Sequence, residues 1–147
     1  GTLDGATVEI RDAVGEENIF IFGLSAAEVG ERRRVGYDPN VHYRGNDELR
    51  QAIDMIAGGY FAPHEPGLFR PIVESLTTGG DFFLVLADFE SYLAAQDRVD
   101  ALYRQPREWA RRAILNVARM GYFSIDRTVG EYADKIWGVE PAGRRAT

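Results

Sequence analysis

Two short apolar runs, residues 18–22 and residues 82–86, most constrain what this chain can fold into. Neither run alternates apolar with polar residues, and both are dominated by residues that favour extended structure. Such runs are typical of strands that are buried on both faces, as in a parallel sheet. The sequence therefore predicts a helix-rich α/β fold with two short parallel strands, and residues 1–3 are a candidate for a third.

Helices are predicted for most of the remaining chain. Apolar residues at helical spacing predict helices over residues 6–14, 46–57, 68–77, 88–104, 106–120 and 126–137. Ser25 and Glu28 form a capping box that begins a further short helix ending near Gly36. Thr128 and Glu131 match the same pattern. The residues of the 106–120 helix that are expected to face the core are Trp109, Ala113, Val117 and Met120. The chain is thus expected to have six or seven helices.

The strand count suggests an incomplete domain. A doubly wound domain has five or six strands, so two or three are too few. The chain also opens on Gly1 without an initiator methionine, and no linker, repeat or charge block divides it. We therefore expect residues 1–147 to form one unit, the C-terminal part of a Rossmann-like domain. The segment after Gly138, with Pro141 and Gly143, is expected to be frayed.

Composition excludes several classes of function. The chain has no cysteine, which excludes disulfides, thiolate metal sites and cysteine nucleophiles. Its net charge of −6 argues against nucleic acid or an anionic membrane as the main partner. No apolar run is long enough to span a membrane.

The titratable residues form no recognisable catalytic motif. His42 and His64 are the only histidines, and their spacing is not that of metal ligands, so no metal site is expected. Lys135 is the only lysine and hence the only Schiff-base candidate, but Glu131 four residues earlier favours an exposed ion pair. No Gly-x-Ser-x-Gly elbow is present.

Other polar and aromatic groups have a structural interpretation beside a functional one. The arginines at 32–34, like those at 111 and 112, could bind a phosphate, but cations at the end of a helix are the favoured interpretation for the first group. Asp88 is interpreted as a helix N-cap, and Asn116 as a buried amide that satisfies backbone groups. The aromatic residues that could stack on a sugar, but at this spacing more often form a core, are Tyr103, Trp109, Tyr132 and Trp137.

Longer stretches of the sequence resemble the α-glucan phosphorylases, which are the glycogen, starch and maltodextrin enzymes. The stretches are residues 1–10 (GTLDGATVEI), 15–23 (GEENIFIFG), 87–92 (ADFESY), 102–109 (LYRQPREW), 123–128 (FSIDRT) and 132–141 (YADKIWGVEP), all in one order and spacing. Thr7 stands where the family usually has Asn, and Gly130 stands where it has a better helix former. Over residues 26–43 the similarity is loose.

The resemblance implies a parent enzyme, a glycosyltransferase that releases α-glucose-1-phosphate from α-1,4-glucans with inorganic phosphate. It also implies a cytoplasmic homodimer of the two-domain GT-B type fold, with pyridoxal phosphate bound by a lysine. The family's cofactor lysine and glycine-rich phosphate-binding stretch lie before the position that Gly1 matches, and Lys135 does not match that lysine. The resemblance therefore implies that this chain has no catalytic, cofactor-binding or metal-binding residues. The fragment is expected to be inactive and to bind no pyridoxal phosphate.

Two alternatives stay open. The chain could be a stand-alone helical module, derived from the same family, that binds a protein or a glucan. It could also come from a different glycosyltransferase of the same two-domain fold. As a fragment, it would expose an apolar surface where missing strands would pair, so self-association is expected. The helix from Asp126 is expected to reach the other domain of the parent.

Overall fold

The structure, a computed structural model, describes residues 1–139 and is built from helices. Eight α-helices lie in this range: α1 (Ala6–Val14), α2 (Ala26–Val35), α3 (Pro39–Gly45), α4 (Asp47–Ala57), α5 (Arg70–Leu76), α6 (Val85–Tyr103), α7 (Pro106–Arg119) and α8 (Ile125–Tyr132). None of these helices is both long and apolar enough to cross a bilayer. The expected fraying around Pro141 and Gly143 concerns residues outside the described range.

The predicted caps are confirmed at two helix starts. In the capping box of α2, the Glu28 N–H donates to the Ser25 hydroxyl (3.4 Å) and the Ser25 N–H donates to the Glu28 carboxylate (2.8 Å). The Asn46 side chain accepts the Leu49 N–H (2.9 Å) at the start of α4. The sequence analysis missed α3, although Asp38 caps it and Pro39 stands in its first turn.

The predicted parallel strands are wrong, because the described residues contain no sheet. Ile19 is extended, but a strand needs a neighbour with which pairing continues, and only Gly1 supplies one. The Gly1 amino group donates to the Phe20 carbonyl (2.7 Å), and the Phe22 N–H donates to the Gly1 carbonyl (3.1 Å). Pairing stops after this one residue, since the chain turns at Asp4, whose N–H bonds the Thr2 carbonyl (3.0 Å).

The second predicted strand is a turn followed by the first turn of α6. The preceding Asp81 is 2% exposed, and its carboxylate accepts the Val85 N–H (2.9 Å), the Leu86 N–H (2.8 Å) and the Tyr37 hydroxyl (2.7 Å). These backbone donors are among those that a helix leaves open at its N-terminus. The helix therefore starts at Val85, and the backbone reaches this geometry through positive φ at Asp81 and Leu84.

Residues 19–24 follow the middle of α6 instead of joining a sheet. Arg98 donates to the Ile21 carbonyl (2.9 Å), the Gly23 N–H donates to the Ser91 hydroxyl (2.8 Å), and the Leu24 N–H donates to the Asp88 carboxylate (2.8 Å). The interpretation of Asp88 as an N-cap is thus wrong. Gly23 has φ +86°, and a Cβ there would lie 2.7 Å from an Asp88 oxygen, so the close approach requires glycine.

The main hydrophobic cluster joins α4 to α6. Leu49 and Ile53, which belong to the predicted apolar stripe of α4, are buried against Leu86. Partly buried side chains from α3, α5 and α6 surround this cluster: Tyr43, Val73, Leu76 and Phe89. The cluster is small for a chain of this length, so most of the apolar residues lie elsewhere.

Polar side chains join α7 to the N-terminal segment. Arg119 donates to the Val14 carbonyl (2.6 Å), Arg112 donates to the Glu17 carbonyl (2.5 Å), and Asn116 donates to the Asn18 carbonyl (2.8 Å). The prediction for Asn116 is confirmed. Because this polar face points inward, the prediction that the opposite, apolar face of α7 is core is wrong, and Val117 is 79% exposed.

The last helix begins earlier than expected. α8 starts at Ile125, after Ser124, so the predicted capping box of Thr128 and Glu131 lies within the helix and is wrong. The Thr128 hydroxyl donates to the Ser124 carbonyl (3.2 Å) instead. A π-helical turn, Ala133–Trp137, continues α8 and ends at Gly138, which has a left-handed conformation.

Candidate functional surfaces

The only lysine lies on the surface, away from any pocket-lining group of the described residues. Lys135 is 67% exposed and donates to Glu131 (3.2 Å), as predicted. The hydrogen bond from Lys135, with the nearby Arg127, lowers the pKa of Glu131 below its ordinary value. A Schiff-base lysine needs a desolvated site that lowers its own pKa and a cradle for the cofactor phosphate. Lys135 has neither, so the described residues do not fit pyridoxal phosphate.

The two histidines are not brought together. The His42 ring lies 3.3 Å from Arg32 Nη1, measured from His42 Nε2, and its centroid lies 5.6 Å from that of Tyr37. His64 lies in the exposed loop before α5. Within residues 1–139, no group of three or more histidine, aspartate or glutamate side chains is placed to hold a metal ion.

The three arginines at the end of α2 have three different partners. Arg32 contacts His42, and Arg34 forms a bidentate pair with Glu31. Arg33 donates to the Phe82 carbonyl (2.8 Å), and its guanidinium lies 4.9 Å from the centre of the Phe82 ring. Each arginine therefore has a structural contact, and the three do not converge on a common anion site.

The charged cluster on α7 is also structural. Glu108 accepts hydrogen bonds from Arg111 (2.8 Å) and Arg112 (2.9 Å), which lower its pKa to about 2. Arg112 reaches further, to the Glu17 carbonyl. A carboxylate that is held ionised by two arginines is not available as a general acid or base near neutral pH.

A largely apolar groove of about 980 Å³ lies beside the N-terminal segment. It is lined by residues 2–5, by Phe22 and Leu24 from the segment along α6, and by Val29 and Arg33 from α2. Val85, Phe89 and Tyr92 of α6 close the other side. Apart from Asp4, Arg33 and Asp88, its walls carry no charged side chains, so this groove suits apolar contact better than acid–base chemistry.

The outer faces of α7 and α8 are apolar and exposed. They carry Ile114 and Val117 on α7, and Ile125 and Val129 on α8, each of them at least half exposed or close to it. The aromatic stripe that was expected to be core is exposed as well: Tyr103 contacts Trp109 edge to face at 5.2 Å, and Tyr132 contacts Trp137 at 5.8 Å. That prediction is wrong for this chain, because nothing among residues 1–139 covers these helices.

The accessible surface gives the scale of what is uncovered. A compact monomer of 16.4 kDa exposes about 7,500 Å². This chain exposes 10,978 Å². The excess of about 3,000 Å² exceeds what one partner contributes to a standard protein–protein interface, about 800 Å².

Sequence comparison gives one consistent relationship. Residues 1–139 match the family model described as carbohydrate phosphorylase. The brain form of glycogen phosphorylase from Bos taurus is 50% identical over 141 residues, which are 96% of this chain and 17% of that protein. Glycogen phosphorylase from Synechocystis is 49% identical over 96% of this chain and 16% of its own length, and the human muscle form is 47% identical over 99% and 17%. The chain thus spans about a sixth of the length of these relatives.

Proposed function

The chain belongs to the carbohydrate phosphorylase family, and from this premise we propose that it is the C-terminal segment of a longer α-glucan phosphorylase. In that parent, the segment supports the domain that holds the cofactor. The parent releases α-glucose-1-phosphate from an α-1,4-glucan with inorganic phosphate, and it works as a cytoplasmic homodimer. The catalytic and cofactor-binding residues lie in the remaining five-sixths of the polypeptide.

The uncovered apolar surface is the observation that carries this proposal. The outer faces of α7 and α8 and the groove at the N-terminal segment together leave more apolar area open than a stable monomer tolerates. The family relationship supplies a natural cover, since its members are about six times longer than this chain. On this proposal, α8 packs against the parent's other domain, and the N-terminal groove packs against the rest of its own domain.

The cofactor belongs to the parent and not to this segment. Pyridoxal phosphate supplies a phosphate group that acts on the substrate phosphate when it is bound in the parent. Lys135, which pairs with Glu131 at the surface, does not hold it. This segment therefore contributes packing, and no step of the reaction is assigned to its side chains.

A split version of the longer protein tests the proposal. The reading frame that contains this chain is divided at the codon for Gly1, and the two polypeptides are produced together. We expect them to purify as a stoichiometric complex with phosphorylase activity, because the open faces bury against the larger piece. A larger piece that is fully active alone, or a start codon directly before Gly1, would contradict the proposal and favour a stand-alone module.

A further inference from the structure

A second groove, of about 620 Å³, lies along the exposed face of α4 and is absent from the packing described above. Four of its polar residues follow one another at helical spacing on α4: Asp47, Arg50, Gln51 and Asp54. Tyr60 closes the groove beyond the end of the helix. We call this surface the α4 groove. Its volume lies in the range of small-molecule sites, and it is largely open to solvent.

The Tyr60 ring is exposed but held in position. It is 67% exposed, and its ring meets that of Phe61 edge to face at 5.1 Å. The Tyr60 N–H donates to the Met55 carbonyl (3.1 Å). The preceding Gly59 is buried with φ +74°, and a Cβ there would lie 2.7 Å from Pro66, so the turn is tightly specified. An ordered aromatic ring that faces solvent is a ready stacking platform, because little conformational entropy is lost on binding.

The polar groups of the groove keep unused hydrogen-bonding capacity. One Asp47 oxygen accepts from Arg50 (2.6 Å), and one Asp54 oxygen accepts from the Tyr43 hydroxyl (2.6 Å). The second oxygen of each carboxylate and the whole Gln51 amide have no hydrogen-bond partner within residues 1–139. The groove thus presents carboxylate acceptors together with an amide that both donates and accepts.

These groups select a neutral, hydroxyl-rich ligand. Two carboxylates and one guanidinium leave the groove with one net negative charge, which disfavours a phosphate or a nucleic acid. Sugar hydroxyls donate to carboxylates and exchange hydrogen bonds with amides, and the C–H face of a pyranose packs on an aromatic ring. We propose that the α4 groove is a surface site for a segment of α-1,4-glucan, separate from the parent's active site. The choice of glucan among polyols rests on the proposed function.

Binding of maltoheptaose to the ¹⁵N-labelled 147-residue chain, followed by NMR, tests this inference. We expect weak, saturable shifts of backbone signals from α4 and from residues 58–61. Tyr60→Ala is expected to weaken the affinity by about five- to tenfold, because it removes the stacking face. Gln51→Ala is expected to weaken it by a smaller factor, and inorganic phosphate is expected to cause no shifts in this region.

Tyr103→Ala is the matched control. Tyr103 is 66% exposed and also meets a neighbouring aromatic ring edge to face, but it does not line the α4 groove. The inference holds if Tyr103→Ala binds maltoheptaose as the wild type does while Tyr60→Ala, with an unchanged circular dichroism spectrum, does not. Absence of saturable shifts in α4, or equal affinity of Tyr60→Ala and wild type, would overturn it. Since the readout is binding, a parent that phosphorolyses glucan without this site refutes only this inference, whereas a binding chain from an inactive parent refutes only the proposed function.

Discussion

Asp81 joins two distant parts of the chain through one buried carboxylate. It accepts two backbone N–H groups at the start of α6 and the hydroxyl of Tyr37, which lies 44 residues earlier. Burial and the bond to Asp81 raise the pKa of Tyr37 above its ordinary value, so this hydroxyl remains a donor. A buried carboxylate with three donors is stable only while all three remain in place.

Asp81→Ala is expected to lower the free energy of unfolding by about 2–4 kcal/mol, because it leaves two helix N–H groups and the Tyr37 hydroxyl unpaired. Urea unfolding followed by circular dichroism measures the change. Asp97→Ala is a suitable control, since Asp97 is an exposed residue in the middle of the same helix. We expect the control to change the stability by less than about 0.5 kcal/mol. Equal effects of the two substitutions would refute the capping role.

Glu108 gives a prediction about pH. Its pKa is lowered from 4.5 to about 2 by hydrogen bonds from Arg111 and Arg112. Because the folded-state pKa lies below the unfolded value, this ion cluster stabilises the fold above about pH 4.5 and loses that effect as the pH falls towards 2. Carboxyl ¹³C NMR should therefore show Glu108 titrating near pH 2. A midpoint near 4.5, or the same acid unfolding profile for Glu108→Gln, would contradict the cluster.

At the scale of elements, α7 shows a helix that packs through its polar side. Arg112, Asn116 and Arg119 bond the carbonyls at the end of α1 and in the turn that follows. Helices leave their last carbonyls without partners, so this column satisfies groups that would otherwise be buried and unpaired. The attachment of α1 to the rest of the chain depends on these hydrogen bonds as well as on apolar contact.

Arg119→Ala is expected to loosen α1 selectively. Loss of a charged donor to the buried Val14 carbonyl costs about 1.5–3 kcal/mol, so the α1 amides should exchange about tenfold faster or more. Hydrogen exchange with mass spectrometry resolves this effect from that on α4, which should not change. Arg107→Ala, at an exposed position on the same helix, serves as control. If both variants leave α1 exchange unchanged, the polar column does not hold α1.

Local signals predicted the helices well, and tertiary contacts decided the rest. The capping pairs Ser25–Glu28 and Asn46–Leu49 act within one turn, so the sequence alone was sufficient for them. Residues 18–22 and 82–86 have the composition of buried strands, but a strand also needs a pairing partner, and composition cannot supply one. For residues 82–86, the contact between Asp81 and Tyr37 selects a helix start, and no local pattern predicts it. The side of α7 that faces inward was mispredicted for the same reason, because the carbonyls that it caps lie about 100 residues away.

Among the candidate site residues, the interpretations that needed only neighbours were the successful ones. The Glu131–Lys135 pair is four residues apart and forms as expected. Asn116 was correctly assigned to backbone groups, although its partner at Asn18 could not be named. The α4 groove escaped the sequence analysis because Tyr60 meets the α4 face only through the turn at Gly59, whose geometry depends on contact with Pro66.

At the scale of the whole molecule, the excess accessible surface predicts association. The exposed faces of α7 and α8 and the N-terminal groove are apolar, and the chain alone cannot cover them. We expect the isolated chain to form oligomers as its concentration rises, because association buries these faces. Sedimentation velocity over a concentration series measures this directly. A strictly monomeric chain at high concentration would indicate that these faces do not need a cover.

The central claim is that this chain is a supporting segment of a phosphorylase whose chemistry is performed by residues outside it. The most direct measurement is phosphorolysis by the purified 147-residue chain, supplied with pyridoxal phosphate, maltodextrin and inorganic phosphate. The account predicts no glucose-1-phosphate above the level without protein, because Lys135 is a surface residue paired with Glu131 and the described residues form no catalytic cluster. Release of glucose-1-phosphate by the chain alone would contradict it.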